Sequence, residues 1–184
     1  SSTRLYTGAD STREETAIRI APFDASDLYN ASKAMGESLV LNCGHPTRVA
    51  RISNVYGDDF HSDNFLSSII RDAIVQKKIV LQTSADSAKD YVSVDNVARC
   101  LIEIATNGKD RIYNLASGVN VSNGQLVEKL RTLTGCAVEY SPQAPAMTFP
   151  TIDNSRLRSE FDFRPSNVLD DLSHLVDLYR RNLE

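Results

Sequence analysis

Cysteine is scarce: Cys43, Cys100 and Cys136 are widely separated and odd in number. No C-x-x-C spacing exists, which excludes a cysteine zinc site and a dithiol redox motif. Each lies in or beside an apolar run, so buried free thiols in a reducing cytoplasm are the expectation. Long apolar runs are missing too, and none approaches the ~18 residues that a membrane-crossing helix needs. The first residues, SSTRLYTGAD, have neither the basic stretch nor the apolar core of a secretion signal. Positive charge is scattered and the net charge is −4, which excludes a basic nucleic-acid-binding face. An anion can still be held, but only through a few local donors. His45, His61 and His174 share no ligand spacing with carboxylates, and no metal site is expected.

What is present suits one or two compact units: 184 residues, 41% of them hydrophobic, enough for a sizeable core. Helical and strand patterns alternate, which predicts an α/β fold. The segment after Ser26 reads as a helix with Tyr29, Lys33, Gly36 and Val40 on one side. Leu39 and Cys43 extend its apolar face, and Gly44 supplies a left-handed stop. RVARIS (48–53) reads as a buried strand. Residues 62–77 read as a helix with Phe65, Leu66, Ile69, Ile70, Ala73 and Ile74 on one face. KIVLQ and DYVSV are strands, and Asp95 is expected to cap the helix that follows. RIYNLA is a further strand, Ser122-x-x-Gln125 a capping box, and CAVEY another strand. The proline-rich loop 141–150 resists regular structure, and a last helix starts near Asn167.

One local spacing carries chemistry. Of the seven tyrosines only Tyr29 has a lysine four residues on, Lys33, so the two stack one helical turn apart. A neighbouring ammonium group favours an ionised phenol. A free phenol titrates near ~10, so bringing one to neutrality takes about 4 kcal/mol, more than one exposed ammonium supplies. From spacing alone, an acid–base tyrosine and a surface tyrosine packed on a lysine stem remain equal readings.

The surroundings separate them. SSTRLY, YNASKAMGE, RISNVYG, KDYVSVDNVARCL and IYNLASG follow one another in that order. In these the sequence resembles the extended short-chain dehydrogenase/reductase family, specifically its NAD-dependent nucleotide-sugar epimerase/dehydratase group. The resemblance implies that the chain is the C-terminal half of a Rossmann-type parallel sheet interleaved with a smaller α/β substrate-binding domain. Residues 1–56 and 94–117 would belong to the first unit, and 57–93 and 118–184 to the second. It further implies catalytic roles for Ser2, Tyr29 and Lys33, with Tyr29 and Lys33 also touching NAD or NADP. Tyr29 would take the proton of a sugar hydroxyl while a hydride leaves the carbon, and Ser2 would hydrogen-bond the same oxygen. Lys33 would hold the ribose and make the phenol the stronger acid.

Asn54 matches the asparagine that the family places against the sugar diphosphate, although a turn beside Gly57 is an equal reading. Lys89 stands where the family's RDYVHVDD pattern has a phosphate-binding arginine; lysine keeps the charge and loses the two-pronged fork. Dehydratases and decarboxylases of the group carry acidic residues directly after the catalytic hydroxyl, where this sequence has Thr3 and Arg4. The resemblance therefore implies a nucleotide-sugar epimerase, with a nucleotide-linked keto-sugar reductase as the alternative. A dinucleotide-sensing or partner-binding relative is the rival from outside enzymology. No G-x-x-G-x-x-G occurs and the first residue is not methionine. The pyrophosphate-cradling half is thus expected upstream, with the 184 residues inactive alone. The helix bearing Tyr29 is of the kind that pairs subunits in this family, which implies a homodimer.

Overall fold

Asp27 sets the first helix. Its carboxylate accepts the Ala21 amide at 2.8 Å and the Asn30 side-chain amide at 2.8 Å, and α1 runs from Asp27–Leu41. A carboxylate in the first turn also meets the positive end of the helix dipole. The computed structural model describes residues 1–142, 144–147 and 149–183, so Gln143 and Thr148 of the proline-rich loop fall outside it.

After α1 come β1 (Val49–Ile52), β2 (Asn54–Tyr56), α2 (Phe65–Arg71), β3 (Lys78–Leu81), β4 (Ala88–Ser93) and α3 (Val94–Asn107). Then follow β5 (Ile112–Leu115), β6 (Asn120–Ser122), α4 (Asn123–Thr134), β7 (Ala137–Tyr140), α5 (Ser155–Phe161) and α6 (Val168–Leu183). Strand β1 pairs in parallel with β5, and Ser2 bridges Ile52 in parallel. Strand β4 lies between β2, parallel to it, and β6, antiparallel. Strand β3 pairs in parallel with β7. Parallel pairs need crossover connections, and the helices between the strands supply them.

Three apolar clusters hold these layers. Leu66, Ile70 and Ile74 meet Ile79, Leu126, Leu130, Leu172 and Val176 in the largest. Val97, Cys100 and Ile104 of α3 pack on Tyr113 and Leu115 of β5, joined by Leu157 and Phe163. Tyr6, Ala116 and Ile152 form the smallest, beside the first turn.

Three local expectations change. The 62–77 helix is α only over Phe65–Arg71; a π turn, Asp72–Gln76, follows and stops at left-handed Lys77 (φ 54°). Ser93, not Asp95, caps α3, because its extended backbone lets the hydroxyl accept the Asn96 amide at 3.2 Å. The shorter side chain two residues earlier reaches the orphan donor that Asp95, already inside the helix, cannot. Cys43 is exposed rather than buried, since it lies beyond α1 in the turn leading to Gly44. Leu39, on the apolar side of α1, is 66% exposed. The capping box on α4 is present, and Gly135 closes that helix at φ 70°. Among the described residues no helix is long and apolar enough to cross a membrane.

Candidate active site

The polarity of α1 is inverted. Asn30 and Glu37 are buried, while Leu28, Met35 and Leu39 face solvent. A buried carboxylate needs a partner, and Arg51 in the middle of β1 provides it. Its guanidinium donates to both Glu37 oxygens, at 2.9 and 2.7 Å, and to the Tyr6 hydroxyl at 2.7 Å. The Tyr6 hydroxyl donates in turn to the Asn114 side chain at 2.8 Å. Burial pushes the Glu37 carboxyl up, the hydrogen bonds and charge of Arg51 pull it down, and the group stands below the usual range. This network locks α1 against β1, β5 and the first turn, and so fixes which way Tyr29, two turns earlier, points.

Tyr29 is half-exposed and has two cations against its ring. The Lys33 ammonium lies 5.1 Å from its ring centroid and the Arg4 guanidinium 5.5 Å. Both are cation–π distances. Ser2 caps the first 3-10 turn, its hydroxyl accepting the Arg4 amide at 3.2 Å. Asn54 lies in β2, not in a turn, and its side-chain amide donates to the Asp90 carbonyl at 2.8 Å. Lys89, on β4, sits 5.3 Å from the Phe65 ring and 5.8 Å from the Phe149 ring. Burial lowers the Lys89 pKa, and the charge of Arg4 lowers it further.

Ser2, Tyr29, Asn54 and Lys89 line one cavity of about 560 Å³. Lys33 does not; it lines a second cavity of about 340 Å³ with Ser32, Gly36 and Ala50, and meets the first only through the Tyr29 ring. Glu37, one turn beyond Lys33, is committed to Arg51, which leaves the Lys33 ammonium to donate elsewhere. That is the donor a ribose diol needs, so the residues present fit a nicotinamide dinucleotide beside Tyr29.

The family model for NAD dependent epimerase/dehydratase proteins matches residues 1–116. The chain belongs to that family. A dTDP-glucose 4,6-dehydratase of Streptomyces griseus is 27% identical over 171 residues, covering 88% of this chain and 52% of that protein. The chain thus spans about half the length of this curated relative. Among solved structures, TunA, an NAD dependent-NDP-hexosamine 5,6-dehydratase, superposes with TM-score 0.83 at 16% identity over 98% of this chain and 61% of its own. The dTDP-glucose 4,6-dehydratase of Bacillus anthracis in complex with NAD gives 0.80 at 21% identity, over 99% of this chain and 60% of its own. The fold is the Rossmann-type α/β fold of NAD-dependent epimerase/dehydratases, and the family's cofactor is a nicotinamide dinucleotide.

Three cavity residues escaped the sequence reading. Arg4 was legible only as a departure from an acidic pattern. The Tyr91 hydroxyl is buried without a hydrogen-bond partner, which only the folded register of β4 reveals. Phe149 comes from the irregular loop, where no periodicity marks it. Among the described residues no group of three His, Cys, Asp or Glu side chains is placed to hold a metal.

Proposed function

We propose that this chain carries the acid–base and sugar-binding part of an NAD(P)-dependent nucleotide-sugar epimerase. The reading rests on one observation: Ser2, Tyr29, Asn54 and Lys89 line a single cavity, with the Lys33 ammonium 5.1 Å from the Tyr29 ring centroid. The Tyr29 oxygen takes the proton of a sugar hydroxyl, and the Ser2 hydroxyl donates to the same oxygen as it becomes a carbonyl. NAD(P)⁺, when bound, accepts the hydride leaving that carbon. Lys33 donates to the ribose and keeps positive charge beside the phenol. Lys89 and the Asn54 side chain meet the diphosphate. Return of the hydride to the opposite face, with Tyr29 giving the proton back, inverts the centre without net change in reduced cofactor.

Loss of water is the second reading, favoured by the names of the curated relatives. Against it, Thr3 and Arg4 follow Ser2 on the cavity wall and offer no carboxylate to move the protons that elimination requires. Product analysis by mass spectrometry and NMR separates the outcomes. An isomer of unchanged mass with no net NADH change is expected. A product lighter by one water overturns epimerisation in favour of dehydration, and stoichiometric consumption of NADH makes the enzyme a ketoreductase.

We also assign homodimerisation to α1. Leu28, Met35 and Leu39 recur at helical spacing and are 76%, 64% and 66% exposed. Sedimentation should give a dimer for the native protein and a monomer after Met35→Glu with Leu39→Glu. A native monomer at micromolar concentration removes the assignment.

A further inference from the structure

The chain passes between two sheets at Ser53 and again at residues 116–119, and both passages close on one side chain. Strands β1 and β5 pair in the first sheet, and β2, β4 and β6 form the second. Ser53 is the single residue between β1 and β2, and residues 116–119 join β5 to β6. Asp90, within β4, is buried and meets both. Its carboxylate accepts the Ser53 hydroxyl at 2.6 Å, the Gly118 amide at 2.7 Å, the Ser117 amide and hydroxyl at 2.9 Å, and the Val119 amide at 3.1 Å. Gly118 lies in the left-handed region (φ 81°), which turns three successive amides onto one carboxylate. The Ser53 amide donates to the Leu115 carbonyl at 3.1 Å, so the two passages also hold each other. A buried carboxylate is unfavourable unless hydrogen-bonded, and here every oxygen is met by neutral donors.

The proposed site is divided between these sheets. Ser2 bridges Ile52 of β1, and α1, which carries Tyr29, is locked to β1 by the Glu37–Arg51 pair. Asn54 and Lys89 belong to β2 and β4. Alternate residues of a strand face opposite ways, so Lys89 and Tyr91 share one face of β4 and the Asp90 side chain takes the other. Committed to Ser53 and the 117–119 turn, the carboxylate sets where the wall bearing Asn54 and Lys89 stands relative to Ser2 and Tyr29. The Asn54 side chain is drawn into the same joint, donating to the Asp90 carbonyl at 2.8 Å.

We propose that Asp90 is a positioning residue: its carboxylate clasps the two sheets and holds Asn54 and Lys89 in fixed relation to Ser2 and Tyr29, so that one nucleotide-linked sugar meets both walls. This rests on the nucleotide-sugar reading of the same cavity. A ligand that reaches both walls gains from their being held in place, whereas a bare nucleoside diphosphate on Lys89 and Asn54 touches one. The test uses the native protein and Asp90→Asn, which keeps the shape but turns one acceptor into a donor facing donors. Ser53→Ala and Ser117→Ala, each removing one hydroxyl, accompany it. Calorimetric binding is measured for uridine and thymidine diphosphates, for each linked to glucose, and for NADH. Each titration is run well below the variant's unfolding temperature, where lost stability alone leaves affinities unmoved.

Asp90→Asn should weaken both nucleotide sugars about tenfold, with less than about threefold change for the bare diphosphates and NADH. Each serine variant should weaken the nucleotide sugars about threefold and leave the bare diphosphates unchanged, and these two carry the test if Asp90→Asn does not fold. Native-like binding of every ligand overturns the proposal, since Asp90 then serves stability alone. Equal weakening of bare diphosphates and nucleotide sugars also overturns it, because only the diphosphate wall has then moved. In both cases the nucleotide-sugar reading stands. A native protein that binds NADH but no nucleotide or nucleotide sugar overturns the proposal and that reading together.

Discussion

Replacing Glu37 by leucine is expected to destabilise the fold by about 3–5 kcal/mol, because it strands a buried guanidinium. Both side chains of the pair are almost wholly removed from water, 3% and 6% exposed, and the contact is two-pronged at 2.7 and 2.9 Å. Arg51→Met should cost as much, since it leaves the Glu37 carboxylate unpaired and takes a donor from both Tyr6 and the Glu14 carbonyl. The double variant should fall well short of the sum, as a buried pair removed together leaves no lone charge. Urea unfolding of the four proteins measures this, and single-variant losses below about 1 kcal/mol would mean that water reaches the pair.

The pH dependence follows from the same contact. Glu37 is held below its ordinary value of 4.5, so its contribution is complete above that pH and disappears as pH falls through the depressed folded-state value. Stability should therefore decline below about pH 4.5 in the native protein, and that component should be absent from Glu37→Leu.

Why this pair was invisible in the sequence explains what could be read and what could not. Tyr29 and Lys33 are one turn apart on a helix, and the Ser122-x-x-Gln125 box is closed within four residues; such signals need no knowledge of the fold. Arg51 sits inside a run that reads as an apolar strand, fourteen residues from Glu37, and nothing local couples them. Without that coupling, nothing in the sequence marks Asn30 and Glu37 as the buried residues of α1. The seven-residue α5, SRLRSEF, is too short for its periodicity to stand out, yet its Leu157 packs beneath α3. The cavity has the same character. Register sets Asn54 of β2 opposite Tyr91 of β4, so the fold alone gathers Asn54, Lys89 and Tyr91 around the cavity that Tyr29 lines.

That helix yields the largest expected effect on turnover. In the proposed mechanism Tyr29→Phe removes the hydroxyl that exchanges a proton with the sugar, while keeping the ring beside which Lys33 and Arg4 lie. General acid–base groups contribute ~10²–10⁴-fold, so kcat should fall about a thousandfold, roughly 4 kcal/mol of transition-state stabilisation. Affinity for NAD(P) should hardly change, because the Lys33 ammonium proposed to hold the ribose is untouched. The ring is 43% exposed, so folding stability should move by less than about 0.5 kcal/mol. Lys33→Met should behave differently, lowering kcat and weakening the cofactor together, since the ammonium serves both the phenol and the ribose. Steady-state kinetics and cofactor titrations on the two variants separate the roles. A Tyr29→Phe protein that keeps more than about a tenth of native turnover would sink the acid–base assignment, because the phenyl ring cannot move a proton. A native protein that binds the dinucleotide but turns over no nucleotide sugar would instead make the chain part of a sensor, with the Tyr29–Lys33 pair serving recognition alone.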